Sequence, residues 1–181
     1  MTYLLFPDTT VVVNFALIHR MDLLKQFAGS VGRWCATVEY ECLRLSSKSG
    51  HEDMADAGDI FGEPLYPKTQ DERLEIESLR IDLAEPEDGP YKHLGEAETI
   101  VIIRTRGISA AFVTDDRSAR EAARREGVKT YATWDLLKVL YKTKRISREE
   151  LWTYVTYLRS KKRGWPASEH TRDGFVLWAD S

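Results

Sequence analysis

Acidic side chains recur at four places along the chain. They are Asp8 in "LLFPDTTVVVNF", Glu39 and Glu41 in "TVEYECLR", Glu96 and Glu98 in "HLGEAETIVI", and Asp115 with Asp116 in "VTDDRSAR". Carboxylates converging from separate segments are the oxygen donors that a hard divalent cation such as Mg²⁺ takes. A cation so held acidifies a bound water and neutralises a phosphate, and phosphodiester hydrolysis needs both effects. Each acid also has a plainer reading. Asp8 before Thr9 and Thr10, and Asp116 before Arg117, are placed to cap helices. Glu41 suits a solvated helix face, and Glu96, in a first turn after Gly95, complements a helix dipole. Glu98 resists that treatment. It stands among Ala97, Ile100, Val101, Ile102 and Ile103, where an unpaired charge is costly. Residues two apart on a helix do not share a face. Glu96 and Glu98 should therefore not both point into one site, unless Glu96 lies in an irregular first turn. The adjacent Asp115 and Asp116 repel one another unless water, hydrogen bonds or a cation manages the charge.

An alternation of strands and helices positions these acids. Residues 3–6, 33–36, 110–113 and 129–131 read as strands, with an irregular or edge-strand piece near Leu65. Helices are expected over residues 10–18, 23–28, 37–45, 95–104, 117–126 and 133–141. The first of these is assigned against the strand propensity of Val11, Val12 and Val13. Thr69 with Glu72, and Ser147 with Glu150, have the capping-box spacing and open two more helices. The first carries the stripe Ile76, Leu79 and Leu83; the second runs to about Leu158. The fold class is therefore α/β: a three-layer sandwich with a twisted parallel sheet of about four to five strands and helices on both faces. In such sheets chemistry gathers at the carboxyl ends of the strands. Asp8 and the Asp115–Asp116 pair fall at such ends.

Composition narrows the function classes. The chain has 181 residues, 43% hydrophobic and 30% charged, which supports a globular core. Its net charge of −3 excludes binding nucleic acid through bulk positive charge, so any such contact needs local patches and a cation. No run approaches the roughly 18 apolar residues of a membrane span. The N-terminal residues lack a basic stretch and a small-residue cleavage site, which argues against a secretory signal. Cys35 and Cys42, the only cysteines, form neither a metal spacing nor a disulfide framework, so a reduced, cytoplasmic protein is expected.

In the order and spacing of "LLFPDTTVVVNF", "TVEYECLR", "LGEAETIVI" and "VTDDRSAR", the chain resembles a PIN domain over about residues 3–140, most closely the VapC-like toxin branch of metal-dependent ribonucleases. "LGEAE" followed by "TDD" is the more specific pair. The resemblance implies acids at the carboxyl edge of the sheet, holding Mg²⁺ or Mn²⁺ and cleaving RNA to leave a 5′-phosphate. It makes Asp8, Glu41, Glu98 and Asp116 the catalytic acids, with Glu41 preferred to Glu39. "GEAE" leaves Glu96 open beside Glu98 as the third acid, and Asp115 stands beside Asp116 as a further metal candidate. Thr114 matches the family's hydroxyl position. The resemblance also implies a cognate antitoxin as partner. It divides the chain into a nuclease domain, residues 1–158, and a C-terminal extension, residues 159–181.

RNA approaching acids needs cations nearby, and Arg104, Arg106, Arg117 and Arg120 are candidates. The basic run "RSKKR", residues 159–163, reads as a soluble linker. Trp165 and Trp178 are expected to pack on the body, form a homodimer contact or dock a partner. His93 has no ligand-spaced companion and reads as structural. The competing class is a non-catalytic PIN-like module that binds RNA or protein; loss of a metal acid would favour it, and all four acidic places remain. A receiver-like phosphoacceptor domain would carry its acid pair after the first strand, not late in the chain. A structure-specific DNA nuclease needs added clamping elements for which the chain is too short.

Overall fold

The computed structural model describes residues 3–166 and 170–181. Residues 1–2 of the N-terminal run and 167–169 of the expected extension lie outside the described residues. One parallel sheet has the order β1 (Leu4–Pro7), β2 (Ala110–Val113), β3 (Lys129–Tyr131). Pro7 pairs with Val113, and Val113 with Tyr131, so the carboxyl ends of the three strands are level. Side chains alternate across the sheet. Leu5, Ala111 and Val113 enter one core cluster; Phe6, Ala110 and Phe112 enter the other. That period of two is what a sheet covered on both faces requires.

The first cluster is closed by α1 (Thr9–Leu17), α2 (Met21–Ala28), α3 (Ala36–Ser46), α4 (Ala57–Phe61), α8 (Thr133–Lys142), α9 (Arg148–Ser160) and α10 (Arg172–Asp180). The second is closed by α6 (Leu94–Thr105), α7 (Arg117–Arg125) and Leu83 at the end of α5 (Gln70–Leu83). The three valines of α1 are helical and buried, so packing and the Asp8 cap override their strand propensity.

The sheet has three strands among the described residues, not the four to five expected. Residues 33–36 form no strand. Only isolated parallel bridges occur at and beside them, Cys35 to Leu65 and, one residue earlier, Gly32 to Leu5, before Ala36 starts α3. Trp34 is buried against Phe61, with ring centroids 5.4 Å apart. The apolar residues that suggested a strand serve this packing, and the chain turns into α3 at Ala36.

The tail packs on the body. Phe175 and Ala179 of α10 are fully buried in the first cluster, and Trp152 meets Phe175 edge-on at 4.9 Å between centroids. Trp165 and Trp178 pack against the same cluster. Within the basic run, Arg163 departs from a solvated linker: its Nε donates to Asn14 Oδ1 at 2.6 Å and its Nη2 to Thr10 O at 3.1 Å.

Candidate metal centre

Asp8 and Thr114 are the first residues beyond β1 and β2. The ladder continues through them, Asp8 N donating to Val113 O at 2.8 Å and Thr114 N to Tyr131 O at 2.9 Å. Both side chains are thereby fixed at the carboxyl edge of the sheet. Asp8 is buried and caps α1, its Oδ2 accepting from Thr10 N at 3.4 Å and Thr10 Oγ1 at 2.6 Å. The Thr114 hydroxyl donates to the same oxygen at 3.2 Å and accepts from Asp116 N at 3.2 Å. One hydroxyl thus ties the first acid to the last. Asp116 caps α7 through Oδ1, which accepts from Ala119 N and Ser118 Oγ, each at 2.7 Å. Capping does not compete with a further role here, because a helix N-terminus favours the negative charge that a cation also needs.

Glu41 and Glu96 arrive from the helices. Glu41 Oε2 accepts from Thr9 Oγ1 at 2.5 Å, one residue from Asp8. Gly95 lets the start of α6 press against α3: a Cβ there would lie 3.3 Å from Val38 Cγ2 and 3.8 Å from Glu41 Oε2. Glu96 then faces the other acids. Burial, with the charges of Asp8, Glu41 and Asp116 adding, pushes its carboxyl up to about 8. Burial likewise raises Asp8 and Glu41 against the hydrogen bonds they accept. Asp116 is held below the usual range: burial opposes this, but the bonds from Ala119 and Ser118 prevail.

His93 joins this group. Ligand atoms of His93, Glu96 and Asp116 all lie within 4.8 Å of one another. Glu96 stands three residues on, whereas Asp116 arrives from the end of another strand, a companion that spacing along the chain cannot reveal.

Two of the expected acids go elsewhere. Glu98 diverges from Glu96, and its Oε2 accepts from Thr37 N at 2.8 Å, in the first turn of α3. The α3 cap residue, Cys35, makes no side-chain cap bond, so Glu98 supplies the missing acceptor. Asp115 turns away from Asp116. It accepts from Thr133 N at 2.8 Å, Thr133 Oγ1 at 2.7 Å and Asn14 Nδ2 at 2.6 Å. Asn14, a lone amide in the apolar run of α1, is fully buried and joins Asp115 to Arg163. The polar residue inside "VVVNF" was the signal that could have marked it.

The arginines divide similarly. Arg106 Nε pairs with Glu72 Oε1 at 2.8 Å, and Arg104 pairs with Glu75 and Glu126, which commits both to the packing of α5, α6 and α7. Arg120 Nη1 donates to Thr114 O at 2.8 Å and braces the strand end. Arg117, 86% exposed, pairs with Glu121 at 2.9 Å on the surface. Beside Glu41 opens a cleft of about 600 Å³ lined by Thr37, Tyr40, Glu41, Arg44, Tyr91 and Leu94. An apolar cavity of about 570 Å³ between Phe27, Val31 and Val139 is of similar size but contains none of these acids, so chemistry rather than size distinguishes the site.

A divalent cation fits the donors present. Burial and the charges of Asp8, Glu41 and Asp116 penalise ionisation of Glu96, and the buried His93 Nδ1, 3.4 Å from Glu96 Oε1, makes no hydrogen bond. No helix among the described residues is long and apolar enough to cross a membrane. Comparison with curated proteins gives no match. Among family models, residues 5–173 match one described as a PIN domain, a span that includes α9 and reaches α10. With its acids gathered at the carboxyl edge of a parallel sheet, the chain belongs to the PIN-domain family, whose members are typically nucleases.

Proposed function

We propose that the protein is a Mg²⁺- or Mn²⁺-dependent endoribonuclease, the toxin of a toxin–antitoxin pair. The convergence of Asp8, Glu41 and Asp116 on Glu96 carries this reading: the last is an N-cap, yet burial together with the charges of all three raises Glu96 far above its ordinary value. These four side chains would hold the cation. When bound, the cation supplies an acidified water and neutralises charge developing on the phosphate. Thr114 keeps Asp8 and Asp116 in register, and Glu41 is steered by Thr9. Arg117, in a weak surface pair, is available to exchange its carboxylate for an RNA phosphate. Tyr40 and Tyr91, 65% and 77% exposed at the cleft, offer ring faces on which unpaired bases stack.

The toxin role, and with it a cognate antitoxin partner, rests on the likeness of "LGEAE" and "TDD" to the VapC-like branch. Digestion of defined RNAs with and without EDTA tests the chemistry. Cleavage that needs Mg²⁺ or Mn²⁺ and disappears in Asp116→Ala is expected; full activity in that variant refutes the assignment. Expression in a host tests the role, through growth arrest by the wild type and none by Asp116→Ala.

A further inference from the structure

We propose that His93 is itself a ligand of the cation through Nδ1, making the centre a mixed imidazole–carboxylate site that takes first-row transition ions in preference to Mg²⁺. The inference rests on the metal-dependent reading above and adds a ligand that an acidic quartet does not contain. His93 is 6% exposed, and its Nδ1 is buried without a hydrogen-bond partner. Glu96 Oε1 is 3.4 Å from that nitrogen, yet no hydrogen bond forms between them. A buried polar atom left so calls for an explanation. The other ring nitrogen has one: Nε2 lies 3.4 Å from Asp88 Oδ2, and Asp88 is itself fixed by accepting from Glu85 N at 2.8 Å. A histidine that ligates a metal characteristically aims its second nitrogen at a carboxylate, which fixes the tautomer and leaves the first nitrogen's lone pair free. Asp88–His93 has that arrangement, with the free lone pair turned toward Glu96 and Asp116.

The dimensions agree. Donors on opposite sides of an ion with bonds of about 2.1 Å stand about 4.2 Å apart. The three ligand atoms already lie within 4.8 Å of one another, so an inward shift of under about 1 Å by each brings all three to bonding distance. The chemistry also gives a direction. Carboxylate and water suit Mg²⁺ and Mn²⁺ alike, whereas imidazole favours the later first-row ions, so a nitrogen donor tilts the balance away from Mg²⁺ and adds more to Mn²⁺, the weakest of the transition series, than to Mg²⁺.

Mn²⁺ alone, added to the full chain, is the probe. Pulsed EPR of bound Mn²⁺ in the wild type should show coupling to an imidazole nitrogen. In His93→Gln that coupling should vanish, and Mn²⁺ affinity should fall about tenfold or more while Mg²⁺ affinity changes less. Asp88→Asn, which keeps the ring, should weaken Mn²⁺ about tenfold and retain the nitrogen coupling. Circular dichroism checks that each variant is folded, and the wild-type spectrum requires no variant at all. Mn²⁺ that binds the wild type and is lost in Asp116→Asn, yet shows no nitrogen coupling, overturns the role of His93 and leaves the acidic centre intact. Absence of Mn²⁺ and Mg²⁺ binding to the wild type overturns both.

Discussion

The two sides of α6 carry glutamates two residues apart in the sequence, both largely shielded from solvent, and only one of them is buried among like charges. Glu98 meets the Thr37 N–H and lies in the field of Arg106 and Arg73. Glu96 meets Asp8, Glu41 and Asp116. The same division separates Asp115 from Asp116. Asp115 accepts three hydrogen bonds, two of them from Thr133 at the start of α8, whose own cap residue is Ala132. Asp116 spends Oδ1 on its own helix and stands beside Glu96 and His93. Glu98 and Asp115 each supply an acceptor to another helix whose cap residue, Cys35 or Ala132, makes no side-chain cap bond. Asp8 and Asp116 cap their own helices and keep company with further acids. Burial alone therefore does not mark a reactive carboxylate; burial among like charges does.

The sharpest way to break this comparison is to neutralise the acids that face the centre. Glu96→Gln and Asp116→Asn should lower RNA cleavage by at least about 100-fold, because a cation contributes several kcal/mol at the transition state and each 1.4 kcal/mol is tenfold. Glu96→Gln should also melt at or above the wild type near neutral pH without metal, since it removes an acid that the folded chain must otherwise hold protonated. Wild-type cleavage by either variant would end the assignment.

Much of this division was latent in the sequence. The spacing of two already required Glu96 and Glu98 to diverge, and the apolar neighbours of Glu98 required a partner for it. What the sequence could not say was which side of α6 faces the sheet edge. That is decided by Gly95, whose missing side chain lets α6 close on Val38, a contact across more than fifty positions. Asp116 was legible twice over, as cap and as acid, because capping is local and needs only the next helix. Asn14 was not, because its partners come from distant segments, and His93 was not, because its neighbour Glu96 gains meaning only when Asp116 arrives from the end of β2. The strand over 33–36 failed for a related reason: local propensity cannot show that Trp34 is needed against Phe61. The three strands that do form are short, but each ends at a helix start or a turn signal that could be read directly.

A milder intervention sharpens the other half of the comparison. Glu98→Ala leaves the Thr37 N–H without its acceptor, which should cost about 1–3 kcal/mol of stability, read in urea denaturation. Glu98→Gln keeps an acceptor oxygen and should recover most of that loss. Asp115→Ala should behave like Glu98→Ala, for it strands Thr133 and Asn14. Metal binding should survive in all three once they are folded. A folded Glu98→Ala that no longer binds Mn²⁺ would move Glu98 back into the centre.

The smallest expected effect is a pH dependence of the metal-free protein. Glu96 in the folded chain holds its proton up to about 8, against 4.5 for the free side chain. Between those values the folded state binds more protons than the unfolded state, so stability falls as pH rises through the window. Asp8, Glu41 and Glu98 are raised too and act in the same direction. Glu72, held at about 2 by Arg106, and the lowered Asp116 act oppositely, but their contribution is complete once pH exceeds the ordinary carboxylate range. The melting temperature of EDTA-treated protein should therefore decline from about pH 5 to 8, by about 2–4 °C for each kcal/mol lost. Glu96→Gln should flatten that decline, whereas Glu98→Gln should leave most of it. Saturating Mn²⁺ should reverse it, because binding favours the ionised acids and strengthens as they lose protons. A flat profile in the untreated wild type would be ambiguous about bound metal, but a flat profile after EDTA would show that Glu96 is not held among like charges.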